Sequence, residues 1–243
     1  MASGVFVGVV GYNRQVVTGC PAWVQESDAA LLADFGGPAS LEVHRDVMAL
    51  YHALARAGIE GVKNLHPAYC TLLVVYDPLR WAPQDLISKL QAAAGSTAAA
   101  TPTPRQIEVP MCCEAEFAPD LEPIAASAGW TIQTAVERLA AATYHVAFLG
   151  FAPGFPYLLG LPPELAAPRL ARPRVRVPAG SLAIAGAQAG IYPAETPGGW
   201  RLVGRTPLRL FEPAREPMSL LLPGDEVRFT IIDQRRFEEL ARA

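Results

Sequence analysis

The chain has 243 residues, 51% of them hydrophobic and 18% charged, with a formal net charge of −3 at pH 7. That much apolar surface excludes wholesale disorder, and a length above about 150 residues suffices for two ordinary domains. The balance of 20 basic against 23 acidic residues excludes a chain adapted to polyphosphate backbones, so no nucleic-acid partner is expected.

In chain order, the first apolar stretch is Val5 to Val10. No basic residue precedes it and Arg14 follows it, the reverse of a secretory signal, so a cytoplasmic location is expected. Strand-like runs follow at Ala22 to Glu26, Ala30 to Phe35, Gly61 to His66 and Cys70 to Tyr76. Between them a helix is predicted from Ser40 as N-cap to Gly58, with Val47, Leu50, Tyr51 and Leu54 on one face. A second runs from Pro83 to Gly95 with Leu86, Ile87 and Leu90 inward. Residues 1–95 therefore read as a small α/β domain. The segment Gly95 to Pro104, Gly-Ser-Thr-Ala-Ala-Ala-Thr-Pro-Thr-Pro, has no hydrophobic periodicity, so 96–104 reads as a linker.

The second domain, 105–243, opens with a strand at Ile107 to Met111 and a short helix at Pro119 to Ala128 closed by Gly129. The next helix starts at Thr131 as N-cap and ends near Ala142, with Ile132, Val136 and Leu139 on its inward stripe. From Tyr144 to Gly204 the helical period vanishes. Short apolar runs such as Val146 to Leu149, Leu182 to Ala185 and Arg201 to Val203 sit between glycines and prolines, the grammar of a closed barrel or sandwich. A last strand, Glu226 to Ile232, precedes a helical segment from Asp233. The charge-free runs Leu139 to Pro163 and Val177 to Ala194 carry too many prolines and glycines for membrane helices, and no membrane is expected. Cys20, Cys70, Cys112 and Cys113 form no CxxC pair and have no histidine at zinc-ligand spacing. They read as small buried hydrophobes in a reducing compartment, and no metal is expected.

The most informative segment is 148–207. Phe148 to Leu158, Val177-Pro178-Ala179-Gly180-Ser181, Gly186 to Pro193, Thr196-Pro197-Gly198-Gly199-Trp200 and Gly204-Arg205-Thr206-Pro207 alternate glycine, proline and aromatics densely enough to specify loop shapes. Such loops either line a cleft of exposed amides or are the tight turns of a small barrel. These five ordered motifs resemble the family of B-type 5-oxoprolinase subunits, also known as allophanate hydrolase subunit 1 and as the Kip-type inhibitor of a sporulation histidine kinase. The likeness covers roughly Pro21 to Ile232. It implies an α+β fold of two domains, a small α/β N-terminal domain and a cyclophilin-like β-barrel like that in the carboxyltransferase part of urea carboxylase. The chain departs from the family pattern at Glu114-Ala115, at Leu139 and at Gln188-Ala189-Gly190.

The resemblance implies a subunit, inactive alone, of a complex that opens the lactam 5-oxoproline to glutamate at the expense of ATP, with C-like and A-like partner subunits. Alternatives of the same origin are an inhibitor of a sensor histidine kinase, docking through the apolar loop Ala152 to Leu159, and a subunit of urea or allophanate breakdown. The chain lacks a GxxxxGK[ST] loop and its two lysines, Lys63 and Lys89, lie outside glycine-rich settings, so ATP is expected on the complex rather than on this chain alone.

By chemical type the catalytic candidates are Gln188, donor and acceptor towards a lactam amide, and Arg205, bidentate towards a carboxylate or phosphate. Arg205 reads equally as a turn arginine paired with Glu195 or Glu212. His145, on the strand opposite Tyr144, Val146 and Phe148, is either a general base or a structural histidine. Substrate-binding candidates are Phe155, Pro156, Ser181, Gly186, Tyr192, Trp200 and Thr206, with barrel core and tight turns as the other reading. His44 and His52 lie about 12 Å apart along one helix, too far to share a metal. His66 reads as a loop residue. Arg169, Arg172, Arg174 and Arg176 form an extended basic edge, either solvated or facing an acidic partner. The Ala152–Pro153 and Phe155–Pro156 bonds are candidates for cis geometry.

Overall fold

The computed structural model describes residues 20–96 and 102–242. Val5 to Val10 and most of the proposed linker, residues 97–101, lie outside the described residues. The first sheet contains β1 (Ala22–Ser27), β2 (Ala30–Asp34), β3 (Val62–Pro67) and β4 (Thr71–Tyr76), all neighbours antiparallel in the order β1-β2-β4-β3. Alternation along β4 sends Leu72, Val74 and Tyr76 to one face, where α1 (Leu41–Ala57) and α2 (Pro83–Ser96) cover them with Val47, Leu50, Leu54, Leu86 and Leu90. The predicted ends of α1 are met in detail. The Ser40 hydroxyl accepts from the Val43 N–H at 3.3 Å, and Gly58, at φ +53°, turns the chain out while its N–H donates to the Leu54 carbonyl. His66 lies in β3 rather than in a loop, because β3 runs on to Pro67.

The second sheet begins with β5 (Gln106–Met111). After α3 (Leu121–Ser127) and α4 (Ile132–Ala141) it continues through β6 (Tyr144–Leu149), β7 (Pro156–Leu159), β9 (Ser181–Ala185), β10 (Gln188–Ile191), β12 (Arg201–Arg205) and β13 (Glu226–Ile231). A separate ribbon pairs β8 (Arg174–Val177) with β11 (Thr196–Gly198), and α5 (Gln234–Ala241) follows β13. The seven-stranded order is β12-β9-β10-β7-β6-β13-β5. Every neighbour pair is antiparallel except β13 with β5, which is parallel, so the barrel is mixed. Its two edges meet where Cys112, just past β5, bridges Arg205 of β12, each N–H donating to the other's carbonyl at 2.9 Å. That contact leaves the barrel nearly closed and edge groups paired. Arg105, before β5, donates from Nε to Asp225, before β13, at 2.7 Å, fixing where the parallel pair starts.

The barrel interior is filled by Val109, Met111, Tyr144, Val146, Leu158, Leu182, Ile184, Ile191, Val203 and Val227, with α3 and α4 adding Leu121, Ile124, Ala135 and Leu139. Ile132, expected on the inward stripe of α4, is 45% exposed, because the buried face begins only at Ala135, beyond the first turn. Both candidate cis bonds are trans; the cis peptide bond is Glu216–Pro217. No described helix is long and apolar enough to cross a membrane.

Candidate functional site

Strands β6, β7, β9 and β10 carry side chains on two faces, and the face turned from the barrel interior is aromatic. Phe155, Ala183, Ala185, Tyr192, Trp200 and Leu202 form a second, smaller core there, shared with Val177 of the ribbon. Phe155 meets Tyr192 edge-on at 5.2 Å and Trp200 at 5.7 Å between centroids. Gly190 permits this approach, since a Cβ at that position would sit 2.6 Å from the Phe155 ring. These aromatics, offered by the sequence as pocket walls or core, are buried to 1% (Phe155), 2% (Tyr192) and 6% (Trp200) exposure. They therefore buttress a surface instead of forming it.

The accessible surface beside them is built by other residues. Phe148 stacks on Tyr157 at 4.3 Å with 12° between planes, and Tyr69, from the turn joining β3 to β4, meets the two rings edge-on at 5.0 and 6.4 Å. Gln188, at the start of β10, stands beside the Tyr69 hydroxyl without a well-formed hydrogen bond to it. Burial, and then neighbouring Tyr157, push the Tyr69 phenol up, so it stays protonated and able to donate at neutral pH; Gln188 acts in the opposite direction. Arg169 is exposed, with its guanidinium 5.8 Å from the Trp200 ring centre and close enough to favour the ionised forms of Tyr157 and Tyr192. At the rim, Phe151 is 63% exposed and holds φ +66°, a conformation that costs a non-glycine residue about 1–2 kcal/mol. The face thus combines flat rings, a carboxamide and a cation without an ion pair among the described residues, with the Tyr69 hydroxyl buried beneath it. Nothing local in the sequence around Tyr69 signals its membership; only the fold brings that turn to the barrel.

The three catalytic candidates are not brought together. Ser181 of β9 pairs with Arg205 and Ala185 of β9 pairs with Gln188, so Arg205 and Gln188 flank opposite ends and opposite sides of one strand, about 13 Å apart along it and two strand spacings apart across it. Arg205 pairs with neither Glu195 nor Glu212. Its Nε donates to the Ala179 carbonyl at 2.8 Å and its guanidinium lies over Phe237, while Glu195 is taken by Arg176. Ser181 and Thr206, beside it, are buried, the Thr206 hydroxyl accepting from the Leu208 N–H at 3.3 Å. Pro156 is buried at the start of β7, and Gly186 occupies the exposed turn beside Gln188 at φ +58°. His145 faces Glu226 on β13 and a different cavity. The expected basic edge is divided, since Arg174 reaches in to Asp120 at 2.9 Å and Arg176 binds Glu195, leaving Arg169 on the aromatic face. Among the described residues no group of three or more His, Cys, Asp or Glu is placed to hold a metal ion.

Residues 21–221 match the model of the carboxyltransferase domain, subdomain C and D. The chain is 37% identical over 232 residues to the B-type subunit of 5-oxoprolinase from Bacillus subtilis (strain 168), covering 88% of this chain and 93% of that protein. Among solved structures, TTHA0988 is similar with a TM-score of 0.73 and 36% identity over 84% of this chain, which spans only 40% of that longer one. The urea amidolyase of K. lactis shares the fold, with a TM-score of 0.74 at 21% identity over 92% of this chain and 16% of its own.

Proposed function

Since the chain belongs to the carboxyltransferase domain family, subdomain C and D, we propose that it is the B-type subunit of a 5-oxoprolinase complex, which opens a lactam to glutamate with ATP. The observation that carries this reading is the near full-length identity to a B-type 5-oxoprolinase subunit. The aromatic face supports it chemically. A five-membered lactam is flat and suits the Phe148–Tyr157 stack, the Gln188 carboxamide matches the lactam N–H and C=O, and Arg169 matches the carboxylate. This assignment moves the anion-binding role from Arg205 to Arg169.

Among the described residues neither lysine is placed to hold a nucleotide. Lys63 is spent on Asp77 at 3.6 Å, Lys89 stands on the amphipathic α2, and neither adjoins a glycine-rich strand-to-helix turn. We therefore assign ATP to the C-like and A-like partners. In the same reading the barrel is cyclophilin-like and the two sheets are separate domains joined near residues 96–104, in a cytoplasmic protein.

The test is to purify the chain alone and with its partner subunits and to follow ATP-coupled glutamate formation. Activity is expected only from the complex. Arg169→Ala in that complex should raise KM for 5-oxoproline about tenfold or more, the loss of one charged hydrogen bond, whereas Arg205→Ala should act on stability. No turnover from any combination, together with tight binding to a sensor kinase, would favour the inhibitor reading; of its expected docking loop Ala152 to Leu159, Phe155, Pro156 and Leu158 are buried, so the exposed Phe151 beside it would be the apolar contact.

A further inference from the structure

Three of the chain's four histidines line one cavity. His44 and His52 on α1 and His145 on β6 face a space of about 490 Å³ between α1 and the barrel, closed at one side by Pro102 and Pro104. This volume lies in the range of small-molecule sites. Two opposite charges also line it, Arg45 from α1 and Glu226 from β13, and they do not neutralise each other. His145 Nδ1 is 3.9 Å from Glu226, too far for a hydrogen bond, and Arg45 has no ion pair among the described residues. His44 Nδ1 donates to the Ala68 carbonyl at 3.2 Å, which leaves the buried Nε2 as an acceptor without a partner.

An anion alone would be drawn by Arg45 and repelled by Glu226, and a cation alone the reverse. A ligand carrying both charges satisfies both, with neutral imidazoles able to donate or accept between them. The geometry points to this cleft as a binding site for a small zwitterion of the free amino acid class, its ammonium towards Glu226 and its carboxylate towards Arg45. The inference does not rest on the oxoprolinase reading, and its test does not use turnover.

Titrate the full chain with L-alanine, L-glutamine and L-glutamate by calorimetry while following the His145 imidazole signals by NMR, with propionate and ethylammonium as single-charge controls. At least one amino acid should saturate, shifting His145 and exceeding both controls about tenfold in affinity. Glu226→Gln and Arg45→Gln should each weaken it about tenfold or more at unchanged melting temperature. No binding up to about 20 mM, equal binding of either control, or affinity indifferent to both substitutions would overturn the assignment.

Discussion

At position 190 the difference between a hydrogen and a methyl group decides whether the outer aromatic layer closes. A Cβ there would meet Phe155 at 2.6 Å and the Pro156 carbonyl at 2.9 Å, one contact movable and the other backbone. Gly190→Ala should therefore cost about 1–3 kcal/mol in urea unfolding and loosen the near-UV signal of the aromatic cluster. Asp120 is the other position where one side chain serves several elements. Buried at 6% exposure, its carboxylate accepts from the Leu202 N–H at 2.6 Å and from Arg174 at 2.9 Å, tying the start of α3 to β12 and β8. Asp120→Ala orphans a buried backbone donor and a half-buried guanidinium together, so a loss of about 3 kcal/mol is expected. Asp120→Asn, which retains an acceptor, should cost clearly less in the same assay.

Elements whose ends carry their own chemistry were legible from sequence. Ser40 and Thr131 both accept from the N–H three residues on, at 3.3 and 3.1 Å, and Gly58 ends α1 in the left-handed region. Ser40→Ala and Thr131→Ala should each lower stability by about 1 kcal/mol, read as a shift of the denaturation midpoint at constant slope. The four N-terminal strands were legible for the same reason, since alternation and turn residues act over a few positions. A closed barrel was expected, but how it closes was not legible: the Cys112–Arg205 bridge, the parallel β13–β5 pair and the arrival of Tyr69 beside Phe148 depend on where distant strands end. The candidate site shows the same division. That residues 148–200 supply aromatics and stiff corners was readable, but which rings are buried was not, nor which of two arginines stands beside them. Residue type is local, whereas exposure and strand end are properties of the closed sheet.

For the whole molecule, the seam between the helical face of the first sheet and the barrel is where solution conditions should act. His44 is 2% exposed on α1, and burial is the main cause that lowers its pKa, ahead of the opposing Ala68 carbonyl and the like charge of His145. Burial lowers His145 as well, with Arg45 acting in the same direction and Glu226 against both; His52 is lowered by burial and then Arg56. The folded state thus holds these imidazoles neutral, and as pH falls below about 6.5 the unfolded chain takes up protons first. Stability should be flat above about pH 7 and fall on acidification through the lowered folded-state values, by at most about 1.4 kcal/mol per pH unit for each histidine. His44→Gln removes the most buried contributor, so its unfolding free energy should depend less steeply on pH between about 5.5 and 7 than that of the unsubstituted chain. Equal slopes for the two proteins in that window would mean that acid acts elsewhere than the helix–barrel seam. A shallower slope would identify α1 against β6 as the contact through which pH reaches the fold, the same contact that forms the amino acid cleft.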